Sequence, residues 1–398
     1  MRKTYLALML PTMLAATNAV AQEAASVELG SFDLVPSLQY KFGHDDNVTR
    51  SSSNEINSWF HTISPEAILL NNYGANQVQI GYRLESKDYF SSQIDNYTDH
   101  FLNARIDHEF NSRNRLQAEA NWEDGHDDRG TRFSIGNGST LDEPDQYKSS
   151  GLEAIYSYGA LTSQFGLDFI FDYQTLDYDI ESDVYRARDR DTTTFGGTLR
   201  YEVAPLTEVT LDYTHKNVDY DFALNPENPL DSTEDLLLLG VNWESTAQTS
   251  GYAKLGYRAK DFDAPGRDTF NGVDWQVGVV WQPVSYTKLD LTTFSNTNET
   301  NGEGNFIKSR TYRATWSHDW LERLTTRLTT SFDQDRYEGE EGVTTRSDDT
   351  IRIGAGLSYQ FRRWMQLNLD YVKDTRSSNR DIIDYDRDLV SFTVKVTL

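Results

Sequence analysis

Charged side chains give this 398-residue chain its chemical reach: 62 Asp and Glu stand against 37 Lys and Arg. They come without the companions that catalysis needs. The chain has no Cys, which removes thiol nucleophiles, thiolate metal centres and disulfide scaffolds. Neither G-x-S-x-G nor H-E-x-x-H occurs. The seven His (His44, His61, His100, His108, His126, His215 and His318) are scattered one to a segment. His44-Asp45-Asp46 and His126-Asp127-Asp128 are the nearest approaches to a catalytic His–acid cluster. The expectation is a protein that is not an enzyme. Acid pairs such as Asp333-Gln334-Asp335 and Asp384-Tyr385-Asp386 miss the twelve-residue spacing of a calcium loop. No resident cofactor is expected; divalent cations bridging the acidic segments to anionic lipopolysaccharide are the metal role left open. The net charge of -25 and the missing basic footprint exclude direct nucleic-acid binding.

The elements that must carry these charges have a period of two. Ile351, Ile353, Ala355, Leu357, Tyr359 and Phe361 alternate with Arg352, Gly354, Gly356, Ser358 and Gln360. Successive strand side chains point to opposite sides, so this is a strand with one greasy and one polar surface. The pattern recurs over 78–85, 116–123, 165–173, 273–282, 365–371 and 391–398. Eight short connections, such as Tyr73-Gly74-Ala75 and Ala204-Pro205-Leu206, alternate with nine longer, acidic ones, of which 125–147 is the longest. Short turns on one rim and long loops on the other predict a transmembrane antiparallel β-barrel of about eighteen strands, with both termini on the short-turn side. A soluble β-sandwich would need strands apolar on both faces, whereas nearly every strand here keeps a polar face.

The first residues, Met1-Arg2-Lys3-Thr4, precede an apolar stretch from Tyr5 to Ala16 and then Ala19-Val20-Ala21. A basic start, a short apolar run and an A-x-A site predict a signal peptide over 1–21, cleaved for export. A short periplasmic segment, 22–30, and one barrel, 31–398, are expected to follow. No plug domain fits into so short a leader. The outer membrane of a Gram-negative bacterium is the expected location, with its lipid and lipopolysaccharide as partners.

Alternation assigns the side chains that face the lumen. Arg83, Arg105, Glu119, Asp168, Arg200, Arg258, Asp274, Arg313, Arg327, Arg352 and Asp370 are the candidate pore-lining residues. Arg313, Arg327 and Arg352 come from three consecutive strands, so they form either a basic strip or ordinary cross-strand charge pairs. Trp243, Trp281, Trp320 and Trp364 lie beside short turns and suit a periplasmic aromatic girdle. Pro36 and Pro65 fall inside strands, where proline lacks a ladder donor, so bulges or weak pairing are expected there. Leu398 ends the chain where an aromatic is usual in outer-membrane proteins; Phe392 on the lipid face is expected to serve instead.

The first hairpin reads Leu34-Val35-Pro36-Ser37-Leu38-Gln39-Tyr40, then Gly43-His44-Asp45-Asp46-Asn47-Val48-Thr49-Arg50. The next strand carries Phe60-His61-Thr62-Ile63-Ser64-Pro65-Glu66-Ala67. The leading P-x-L, the D-D-N-V and the hydrophobic-x-P strand resemble the β-barrel porins found in exopolysaccharide operons. The match covers about forty residues. The resemblance implies an outer-membrane pore for export of a secreted polysaccharide, fed by periplasmic export machinery. Its rivals are a general or solute-selective diffusion porin and a non-conducting barrel with a structural or adhesive role.

Overall fold

The computed structural model describes residues 26–246, 248–339 and 345–397. The expected signal peptide and Leu398 lie outside the described residues. A short strand, β1 (Val27–Leu29), precedes eighteen long ones. These are β2 (Phe32–Asp45), β3 (Ser58–Tyr73), β4 (Asn76–Tyr89), β5 (Tyr97–Asn111), β6 (Asn114–Asp127), β7 (Asp145–Tyr158), β8 (Phe165–Tyr178), β9 (Arg190–Ala204) and β10 (Thr207–Tyr220). They continue with β11 (Ser232–Thr246), β12 (Thr249–Phe262), β13 (Phe270–Val284), β14 (Thr287–Glu299), β15 (Phe306–Leu321), β16 (Leu324–Glu338), β17 (Ser347–Arg362), β18 (Met365–Ser378) and β19 (Tyr385–Thr397). Each long strand pairs antiparallel with its sequence neighbours, and β19 pairs with β2 from Leu389↔Asp45 to Thr397↔Ser37. The sheet is therefore a closed ring of eighteen strands. Closure leaves no unpaired edge along the first-to-last seam, which an apolar surrounding requires.

The apolar faces point outward. On β17, Ile351, Ile353, Leu357, Tyr359 and Phe361 are exposed, the inverse of a soluble protein. A continuous apolar belt on a sheet cylinder is the surface that acyl chains cover. The four tryptophans chosen from the sequence sit at the short-turn rim, with Trp281, Trp320 and Trp364 exposed. A second aromatic set, including Trp59 stacked on Phe42 at 5.1 Å, marks the opposite edge of the belt. Phe392, also exposed, lies on this belt beside Phe42.

Four local expectations are refined. Residues 22–30 include β1, which pairs with β2 from Val27↔Leu34 to Leu29↔Phe32. Pro65 interrupts the β3–β4 ladder, which skips from Ile63↔Ser86 to Glu66↔Arg83 in unbroken register, so pairing weakens without a bulge. Pro36 pairs with Ala67 in a β2–β3 ladder of unbroken register, without the expected bulge. The rule of one polar face per strand fails on β11: Leu237 and Leu239 face outward, while Leu236 and Leu238 are buried inside. Those two leucines are covered because something fills the lumen above them.

Candidate functional site: a loop-crossed mouth above a charged lumen

The register puts all eleven candidate pore-lining residues on the face opposite the outward apolar side chains. Several are held by neighbours. Arg83 bonds Glu85 at 2.6 Å and lies 3.9 Å over Phe101. Arg105 reaches Asp107 at 3.1 Å and Glu119 at 3.9 Å. Arg200 pairs with Asp168 at 2.8 Å. Arg352 pairs with buried Asp374 at 2.8 Å, so the three-arginine strip does not form as a unit. Arg313 and Arg327 make no ion pair among the described residues. One row across the far wall runs Arg105, Glu119, Glu153 and Asp172 on β5 to β8. From Glu153 on β7 to Arg327 on β16 is half of the ring. The lower lumen thus has an acid-rich wall facing two guanidiniums without a close ion pair, Arg327 sharing its row with Asp370 two strands away.

The outer half differs. The 128–144 segment between β6 and β7 reaches across the mouth to the β14–β15 connection, where Arg132 and Phe133 meet Asn301 and Gly302. Its root is His126, whose ring has Nδ1 3.0 Å from Asp99, Nε2 3.3 Å from Asp128, and Tyr97 packed at 3.9 Å. Arg129, 1% exposed in its side chain, bonds both oxygens of buried Asp95 at 2.7 Å and donates to the Leu141 carbonyl at 3.0 Å. Arg50 reaches Asp128 at 2.9 Å. At the far side, Asn301 between β14 and β15 donates to the Arg132 carbonyl at 3.1 Å. Glycine is required twice: a Cβ on Gly130 (φ +81°) would meet the Thr49 carbonyl oxygen at 2.0 Å, and one on Gly138 would meet the Gly130 nitrogen at 2.4 Å. Burial raises the Asp128 carboxyl, but Arg50, the His126 hydrogen bond and Lys87 outweigh it, leaving that group well below the ordinary carboxylate range.

A second inward displacement explains the buried leucines. The β13–β14 ladder runs only from Gln276↔Phe294 to Val284↔Thr287, whereas β14 pairs with β15 up to Glu299↔Phe306. Above the lost rungs, β14 leans into the lumen. Thr297 bonds Glu234, Lys260 reaches Glu299 at 2.9 Å, and Tyr220 reaches Glu299 at 3.4 Å. Arg258 joins Glu234 to Asp274, the latter at 2.8 Å. Arg258 and Asp274, chosen as pore lining, are therefore luminal in direction but buried within this packed wall. The lost ladder lies toward the long-loop end, where water rather than lipid can satisfy backbone groups.

The D-D-N-V motif closes the ring. Asp45, fully buried, pairs with Arg387 at 2.9 Å; Asp46 accepts from the Asp388 backbone at 2.7 Å; Asn47 donates to the Asp386 carbonyl at 2.9 Å. Val48 joins Phe60 and Tyr89 in a small apolar core beneath the loops. These contacts clasp β2 to β19 beyond their last rung. The sequence marked the motif, but no local signal indicated a partner some 340 residues away.

Among the described residues no group of three or more His, Asp or Glu is arranged to hold a metal ion. In the acid pairs singled out, Asp333 accepts from Thr311 at 2.6 Å and Asp384 from the Ser378 backbone at 2.6 Å.

Residues 21–398 match the profile of a family described as "Putative beta-barrel porin 2". No curated protein matches. Among solved structures, OccK2 (OpdF) of Pseudomonas aeruginosa superposes with a TM-score of 0.52 at 9% identity, covering 92% of this chain and 98% of that one. OpdL of Pseudomonas aeruginosa gives a TM-score of 0.48 at 12% identity, covering 93% and 99%. OccAB3 of Acinetobacter baumannii gives 0.48 at 8% identity, covering 92% and 99%.

Proposed function

We propose that this chain, which belongs to the beta-barrel porin 2 family, is an outer-membrane channel for small hydrophilic solutes, with selectivity set where the 128–144 segment crosses its mouth. The observation that carries the reading is the hydrogen bond from Asn301 to the Arg132 carbonyl, which joins opposite walls. Eighteen strands enclose enough width for an aqueous path, and an inward loop is what divides a wide cylinder into a selective one. Polar walls that bind weakly at many places suit conduction, since a tightly held solute stalls. The charged lower lumen, acid-rich on β6 to β8 and cationic at Arg313 and Arg327, adds a transverse field that orients dipolar solutes. Planar-bilayer recording tests the reading: purified protein is expected to conduct, and excision of 130–141 to raise the conductance. A barrel that conducts nothing, with or without that segment, refutes it and favours a structural or adhesive role.

Polysaccharide export is the second reading, supported by the resemblance of the first hairpin to porins of exopolysaccharide operons. A polymer needs the 128–144 segment swung aside, so a periplasmic partner or the polymer would supply the energy of that displacement. Current blocked by long glycans but not by single sugars, and polymer retained in the periplasm of a deletion strain, are the outcomes that would favour it.

A further inference from the structure

The loops of the outer mouth line an open cavity of about 460 Å³ between the 128–144 segment and the connections β8–β9, β10–β11, β12–β13 and β14–β15. That is the size range of small-ligand sites. The one carboxylate among its lining residues, Glu303, is held by Arg380 at 2.9 Å and Arg346 at 3.5 Å, and its cations are not equivalent. Arg132, Arg188 and Arg346 are paired with Asp127, Asp145 and Asp348. Arg267 instead bonds neutral oxygens: the Pro229 carbonyl at 2.7 Å, the Asn228 carbonyl at 2.8 Å, and the Asn305 amide. A guanidinium has five N–H donors, so this one is fixed by three acceptors with charge and donors to spare. Apolar surface is present where no lipid reaches: Leu224 is 61% exposed on the same wall, beside Phe222. Asn137, Asn225 and Asn228 add amide groups to the lining, while Asn301, whose N–H groups go to the Arg132 carbonyl and the Tyr337 hydroxyl, offers only its oxygen.

We infer that this cavity binds an acidic saccharide on the outer side of the constriction. The carboxylate would pair with Arg267, an arrangement the fork of the guanidinium favours over a lysine-like point charge. Hydroxyls, each donor and acceptor at once, match asparagine amides, and the C–H face of a sugar ring matches Phe222 and Leu224. A simple inorganic anion would use the first feature and neither of the others. The inference rests on the channel reading, since the cavity would hold the solute at the constriction.

Titration calorimetry of the detergent-solubilised barrel with D-galacturonate and D-galactose tests it without relying on conduction. The acid is expected to bind at least ten-fold more tightly than the neutral sugar. Arg267→Gln is expected to lower affinity for the acid ten- to a hundred-fold and leave the neutral sugar unchanged, while Leu224→Asp weakens both. Arg267→Lys, which keeps the charge and loses the fork, should fall between, and heat-modifiable electrophoretic mobility confirms that each variant is folded. Equal affinity for both sugars, an unchanged affinity in Arg267→Gln, or no heat up to about 10 mM ligand overturns the inference. Conductance without binding sinks the saccharide site alone; binding without conductance sinks the channel reading alone.

Discussion

Removing the Arg129 side chain is the sharpest perturbation of the crossing segment. Arg129 holds Asp95 through two 2.7 Å contacts, with side-chain exposures of 1% and 5%. Arg129→Ala leaves a buried carboxylate without its cation, which costs about 3–5 kcal/mol when one partner of a buried pair is lost. The ring of strands does not use this contact, so the cost falls on the docked position of 128–144 rather than on the barrel. At about 1.4 kcal/mol per decade, the ratio of released to docked segment rises by roughly two to three and a half orders of magnitude. Single-channel recording is expected to show larger and noisier currents, and limited proteolysis to cut within 130–141. The double variant Arg129→Met with Asp95→Leu removes both charges and is expected to return toward the parent, because replacing a buried pair by apolar groups is often near neutral. An Arg129→Ala channel with parental current, noise and protease resistance would refute the docking argument.

The Arg50–Asp128 contact gives a pH dependence. Asp128 titrates below its unfolded value, so its contribution is complete above the ordinary carboxylate range and is lost as pH falls through the lowered value. Current should therefore be insensitive to this pair between pH 7 and 5 and change only in stronger acid, while Asp128→Asn shows the change at pH 7. Arg313→Glu with Arg327→Glu should shift the reversal potential in a salt gradient toward cation selectivity; an unchanged potential places those side chains outside the ion path. Asn47→Ala removes the clasp to the Asp386 carbonyl and leaves buried backbone unpaired, with an expected cost of about 1–3 kcal/mol in urea unfolding from lipid. Leu239→Arg puts a charge on an outward side chain that is 61% exposed near mid-strand, and should cost about 2–4 kcal/mol in the same assay. A neutral result there would contradict the lipid-facing assignment.

The sequence by itself determined the wall. Alternation from Ile351 to Phe361 decides which side each residue takes, because a strand turns successive side chains by half a revolution whatever its neighbours are. Turn lengths likewise determined strand number and the rim that carries the loops. What only the tertiary structure decided is the inside of the mouth. Arg129 finds Asp95 across 34 residues, and Asn301 finds Arg132 across 169. Neither contact has a period to betray it. Arg258 and Asp274 were legible as inward-facing, but their burial follows from β14 leaving β13, an event on a different hairpin. Leu236 and Leu238 break the polar alternation for the same reason: a luminal side chain need be polar only where water reaches it, and the loops decide where that is.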